Sequence, residues 1–204
     1  MNDNERIQPL RDVWLRPRRV FRELASAALG PANFGLAALQ GICNYLLLFR
    51  LPDQKLEAPL LLSNALIFGA ITGITVTACY AVVYALIGKR IGRKLTRRAA
   101  FQVLSYGSVP VATALLVTAA GALLVGDAVL VPKEPAQLDG FVLIVARLQL
   151  TLVVLLYLWS YLLQVMGLSE LMAVTVRRAF GVWLLGQVLG GLAAILLNLL
   201  VTAL

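Results

Sequence analysis

Histidine is absent from the 204 residues, cysteine occurs twice, and only 14% of positions are Asp, Glu, Lys or Arg. Each shortage closes off a class of function. Without imidazole the chain has neither the usual proton shuttle nor the commonest metal ligand. The two cysteines, Cys43 and Cys79, lie inside apolar stretches. They are no disulfide framework and read as buried soft hydrophobes. Soluble domains have about 25% charged and about 45–50% apolar residues. Here 60% are apolar and the mean hydropathy is +0.86. These values exclude a soluble globular domain, a disordered chain and a disulfide-stapled secreted domain. No acidic residue falls within the long apolar runs, so a carboxylate relay coupled to protons or sodium has no members. There is also no Walker A pattern, no GxSxG, no HExxH and no Cys/His cluster. Loop carboxylates such as Asp139 and Glu170 would have to supply any base, and no two have an arguable geometry. The expectation is a non-enzyme with no catalytic residue, metal or cofactor.

What is present is apolar sequence in five long runs, near residues 32–49, 59–88, 101–126, 141–166 and 180–203. About 20 residues cross a bilayer core, so each run suffices for one helix and none comfortably makes two. The runs show no period of two, which disfavours a β-barrel. The fold class expected is therefore all-α: a polytopic membrane protein of five transmembrane helices over 32–204. A basic segment, 1–31, precedes it. Its first 23 residues have no apolar h-region, so no cleavable signal peptide is expected.

Basic residues then orient the chain. The N-terminal segment holds six, the link after the first run two, the link after the second six, the next one and the last two. Alternate sides thus carry 14 and three of the 18 cations, Arg147 lying within a run. Short loops with such an asymmetry put the N-terminus in the cytoplasm and the C-terminus on the periplasmic or extracytoplasmic side. The far-side links are short, mildly acidic and proline-punctuated, with Asp53, Glu57, Asp127, Glu134 and Asp139.

Several constellations could carry function. From Pro17 onward Val20, Phe21, Leu24, Ala25 and Ala28 share one helical face, while Arg18, Arg19 and Arg22 fall largely elsewhere. This predicts an amphipathic interfacial helix on the cytoplasmic membrane surface, Trp14 at headgroup depth, closed by Gly30-Pro31. It serves either as a docking element or as a topogenic anchor. Lys89, Arg90, Arg93, Lys94, Arg97 and Arg98 put six cations into ten residues at a membrane edge. Each gains about 1 kcal/mol from anionic headgroups, so anionic lipid is the first partner expected and an acidic protein the second. Nucleic acid is not expected, because no fold remains to present the charges. Tyr106, Gly107 and Pro110, with Ser105 and Ser108, predict a helix break near the start of the third run. Such a break is a packing kink or part of a transport path. Arg147, the one charge inside a run, would cost about 2.5–3.5 kcal/mol at mid-membrane and less near an end, where it snorkels. It could pair with Asp127 or Asp139, or bind a lipid phosphate. Gly69 and Gly73 in the second run, and Gly186 and Gly190 in the fifth, mark close helix-packing faces.

Several of these segments together resemble the Yip1 family. The local matches are the Trp14–Leu24 stretch, the Tyr106-Gly-Ser-Val-Pro110 run, and Gly167-Leu-Ser-Glu followed by Arg177-Arg-Ala179. The resemblance covers most of the chain and implies five closely spaced spans with a cytoplasmic N-terminus. The acidic Leu-Tyr-Gly-Pro signature of eukaryotic members is not evident, so no Rab-GTPase role is implied. The Ala-, Leu- and Arg-rich usage reads as bacterial, hence an inner-membrane location. The functional expectation is a membrane-organising or accessory subunit that binds anionic lipid, a partner protein or its own copies. The alternative is a small transporter or lipid-translocating protein using the Tyr106–Pro110 break and Arg147.

Overall fold

The computed structural model describes residues 8–48, 58–126 and 139–202. Among the described residues every regular element is helical and there is no strand. Helices α1 (Pro9–Leu15) and α2 (Pro17–Leu24) each open on a proline, whose missing N–H costs nothing in a first turn. They are parted by Arg16, pushed out of helical geometry (φ −135°, ψ 51°) by the proline that follows it. Helix α3 (Pro31–Leu48) follows. Helix α4 (Ala58–Asn64), a π-helical turn (Ala65–Gly69) and α5 (Ala70–Arg90) form one continuous rod. Helix α6 (Arg97–Gly107) starts on Thr96, whose Oγ1 accepts from the Ala99 N–H at 3.1 Å. Helix α7 (Val109–Val125) continues it after an interruption at Ser108. Helix α8 (Gly140–Met172) is capped by the Asp139 carboxylate, which accepts from the Gly140 N–H at 2.8 Å. It ends at Ala173 in the left-handed region (φ 49°). Helix α9 (Val176–Thr202) is the last element described.

Three of these rods are long and apolar enough to cross a membrane: Pro59–Arg90, Arg97–Val125 and Gly140–Met172. They fall on the second, third and fourth runs of the sequence. The first and fifth runs form α3 and α9, both helical. Outward-facing positions are apolar, among them Leu66, Ile67 and Phe68 before α5 and Leu148, Leu152 and Leu155 on α8. Helices that expose leucine on one side and bury polar groups on the other are arranged for lipid, not water.

Helix α6 is the hub. It packs on α3, α5 and α8, with α1 and α2 against its outer part, and every residue from Ala99 to Val111 is buried. Around it α5 lies beside α3 and α9, α8 beside α7 and α9, and α7 beside α3. The α3–α5 crossing is almost backbone to backbone. A Cβ added at Gly41 would overlap the Gly69 carbonyl and Gly73 Cα, and one at Gly73 would overlap the Ala37 carbonyl. The π-helical turn ends at that crossing.

The N-terminal helices differ from the sequence expectation. Their apolar face does not look outward: Val13, Val20, Phe21 and Leu24 are buried in the main core with residues of α6 and α8. Phe21 fills the space left by Gly167, where a Cβ would come within 3.0 Å of its ring. Protein surface competes with lipid headgroups for this face, and it wins because Gly167 and Val103 offer a shaped seat. Helix α2 also stops at Leu24, before Gly30. The link to α3 is held from the side, by Gln102 Nε2 donating to the Ala27 carbonyl at 3.0 Å.

Candidate functional site

The basic residues converge because of where the helices turn. Helix α5 ends in Lys89 and Arg90, α6 begins with Arg97 and Arg98, and α9 begins next to Arg177 and Arg178. Helices α1 and α2 bring Arg11, Arg16, Arg18, Arg19 and Arg22 to the same end through their contacts with α6 and α8. The link between α5 and α6 is tight: Gly92 takes φ 73°, and the Arg93 N–H donates to the Gly88 carbonyl at 2.8 Å. Leu95 is buried, while Arg93 and Lys94 stay exposed.

The described carboxylates at this end are all engaged. Asp12 Oδ2 accepts from the Gln8 N–H at 2.9 Å. Glu23 pairs with Arg19 at 2.9 Å, and Glu170 with Arg22 at 2.7 Å. Among the described residues Arg11, Arg16, Arg18, Lys89, Arg90, Arg93, Lys94, Arg97, Arg98, Arg177 and Arg178 are exposed and have no carboxylate partner. Three arginine pairs, Arg18-Arg19, Arg97-Arg98 and Arg177-Arg178, sit in the first turns of α2, α6 and α9. That placement opposes the helix dipole, at about 0.3–1 kcal/mol per charge. Trp14 is half-buried against the core, beside this surface.

The break between α6 and α7 is as the sequence places it, at Ser108. Two carbonyls of the joint take side-chain donors from within the bundle. Ser160 Oγ donates to the Gly107 carbonyl at 2.7 Å, and Ser108 Oγ to the Ser105 carbonyl at 2.7 Å. Gly107 lies flush against Gln164, whose Cγ would be 2.6 Å from an added Cβ. Tyr106 and Pro110 are buried with the rest of the segment. The break is thus a packed joint.

Arg147 is exposed on α8, and no ion pair joins it to Asp139, which is occupied as the helix cap. Asp127, the other expected partner, lies outside the described residues. Arg147 and Ser160 are 13 residues apart on one continuous helix, about 20 Å by helical rise, so the structure does not bring Arg147 to the break. Cys43 and Cys79 are both free thiols. Among the described residues no group of three His, Cys, Asp or Glu side chains could hold a metal ion.

Gly186 and Gly190 form one face, as expected, and the face receives two rings: Tyr84 against Gly186 and Tyr80 against Gly190. Here a polar network that the sequence reading missed begins. Tyr84 Oη donates to the Trp183 carbonyl at 2.9 Å, and Gln187 Nε2 donates to Tyr84 Oη at 3.1 Å. Trp183 Nε1 donates to Gln164 Oε1 at 3.0 Å. Gly41 was also missed, although Ala37 and Gly41 form a small-xxx-small pair of the kind noted elsewhere. Gln149 and Gln164, polar companions 15 residues apart in the sequence, lie just over four helical turns apart on α8 and so share a face.

Comparison with protein-family models, with curated proteins and with solved structures finds no match for this chain.

Proposed function

We propose that this chain is a non-catalytic, five-span protein of the bacterial inner membrane, of Yip1-like type, that binds anionic lipid through a basic cytoplasmic face. Helices α3 and α9 supply the first and fifth spans beside the three rods described above. The N-terminus and the two cation-rich links lie in the cytoplasm. Helices α1 and α2 lie at the membrane surface, with Trp14 at headgroup level and their apolar side docked on the bundle. The observation that carries the reading is the electrostatic imbalance at this end, where the described carboxylates are engaged and 11 exposed cations meet none. Each cation held near an anionic leaflet contributes about 1 kcal/mol, and headgroup phosphates also complement the first-turn arginines of α2, α6 and α9. An acidic protein subunit would use the same face. A transport path through the break has less support, since Ser160 and Gln164 fill that joint and Arg147 stands about 20 Å away.

The test is lipid retention. Chains purified in a gentle detergent and analysed by native mass spectrometry should carry anionic phospholipid. Replacing Lys89, Arg90, Arg93, Lys94, Arg97 and Arg98 with glutamine should strip most of it without unfolding the bundle. Equal retention of anionic and zwitterionic lipid by both forms would refute the assignment.

A further inference from the structure

Helix α8 carries three of its buried polar groups on one stripe. Gln149, Ser160 and Gln164 are buried with Val153 and Leu163 at spacings that keep to a single face. Ser160 and Gln164 have their partners, the Gly107 carbonyl and the Trp183 indole. Gln149 has none: it is 4% exposed, and neither Nε2 nor Oε1 meets a hydrogen-bond partner. Its amide lies against Gly121 of α7, where a Cβ would overlap Oε1 and come 3.0 Å from the amide carbon. A leucine would fill this position without stranding a polar group. One turn along, the seam between α3, α7 and α8 holds a cavity of about 10 Å³ lined by Cys43, Ala114, Leu115, Thr118, Val153 and Tyr157; Gln149 and Gly121 lie beyond its wall, next to Thr118 and Val153 along α7 and α8. That is room for one water-sized group. Asn44 and Tyr157 mark the rim with a hydrogen bond of 2.8 Å, and Asn44 is exposed on the outer face of α3.

We propose that the α3–α7–α8 seam is a binding site for a hydroxyl group, held by the Gln149 amide beside Gly121 and Thr118. The chemistry follows from what is unmet. Gln149 offers one unused donor group and one unused acceptor, and a hydroxyl is the smallest group that both accepts and donates. The ligand is neutral, because among the described residues no charged side chain is buried in the seam and Arg147 is exposed. Water reaching the amide from the far side and the hydroxyl of a membrane lipid share this chemistry.

The experiment uses the full chain in nanodiscs of perdeuterated phosphatidylcholine containing protonated diacylglycerol, with glutamine labelled at the side-chain nitrogen. The Gln149 amide signal, assigned by its loss in Gln149→Leu or Gln149→Met, should show magnetisation transfer from a hydroxyl proton. Transfer from water identifies an internal water, and transfer from diacylglycerol a lipid alcohol; either supports the site. Gln149→Leu should also lower the melting temperature, since it discards a satisfied amide. No transfer from either source overturns the proposal, as does a leucine variant that melts higher than the parent. If neither variant folds, the Gln149 signal is assigned in the parent chain by its contact with Gly121, and absence of transfer from both sources still overturns the proposal.

Discussion

Phe21 and Arg22 are neighbours with opposite fates. Phe21 is 1% exposed, its ring seated over Gly167, whereas the Arg22 side chain is 73% exposed although it reaches Glu170 at 2.7 Å. Truncating a buried phenylalanine costs about 3–5 kcal/mol, and an exposed ion pair contributes about 1 kcal/mol or less. Phe21→Ala should therefore lower stability severalfold more than Arg22→Ala in an unfolding titration of the purified protein. Comparable losses would mean that the ion pair, not the apolar seat, holds the N-terminal helices. The periodicity of Val20, Phe21 and Leu24 was legible in the sequence. Its destination was not, because the pattern of an apolar face is the same whether lipid or protein covers it. Arg147 is the converse case: its exposure was foreseeable, while the engagement of Asp139 as a cap depends on where α8 begins.

At the level of elements, the joint that sets the interior is the α3–α5 crossing. Gly41, Gly69 and Gly73 let two backbones touch, and no side chain fits between them. Overpacking such a contact costs about 1–3 kcal/mol. Gly35 lies on the same helix with nothing within 4 Å of an added Cβ. Gly41→Ala should destabilise the protein, and Gly35→Ala should leave it unchanged or improve it by up to about 1 kcal/mol through helix propensity. Thermal unfolding of the two variants in one detergent makes the comparison, and the same sign for both would disprove the crossing. The sequence marked Gly69 and Gly73 as a packing face but did not name the partner, because small residues recur in most apolar helices. The interruption at Ser108 was foreseen from Gly107 and Pro110. That Ser160, 52 residues later, would close it belongs to the packing of α8 on α6.

For the whole molecule, the ordering quantity is charge. Helix turns at one end gather the cations of three separate segments, and the outward positions in between include leucine, isoleucine and phenylalanine. Our five-span reading predicts that a reporter fused after Leu204 is active only if it works outside the cytoplasm, while one fused before Met1 is active only inside. A cytoplasmic signal from the C-terminal fusion would reverse the wiring and place the basic face and the last span in conflict. Fivefold threading is a matter of counting apolar runs, and for that reason it could be argued without coordinates. The neighbours of each helix could not.

The amino-acid sequence alone determined the all-helical class, the presence of rods long and apolar enough to cross a membrane and the place of the broken helix. These are local properties: hydropathy over a membrane thickness, and proline and glycine at fixed positions. Tertiary structure decided the rest. It placed α6 at the hub, turned the apolar side of α1 and α2 inward, set Tyr80 and Tyr84 against Gly190 and Gly186, and left the Gln149 amide without a partner. Each of these depends on which helix faces which. In lipid that choice rests on shape and hydrogen bonding between distant segments, because the surrounding chains are as apolar as the helices themselves.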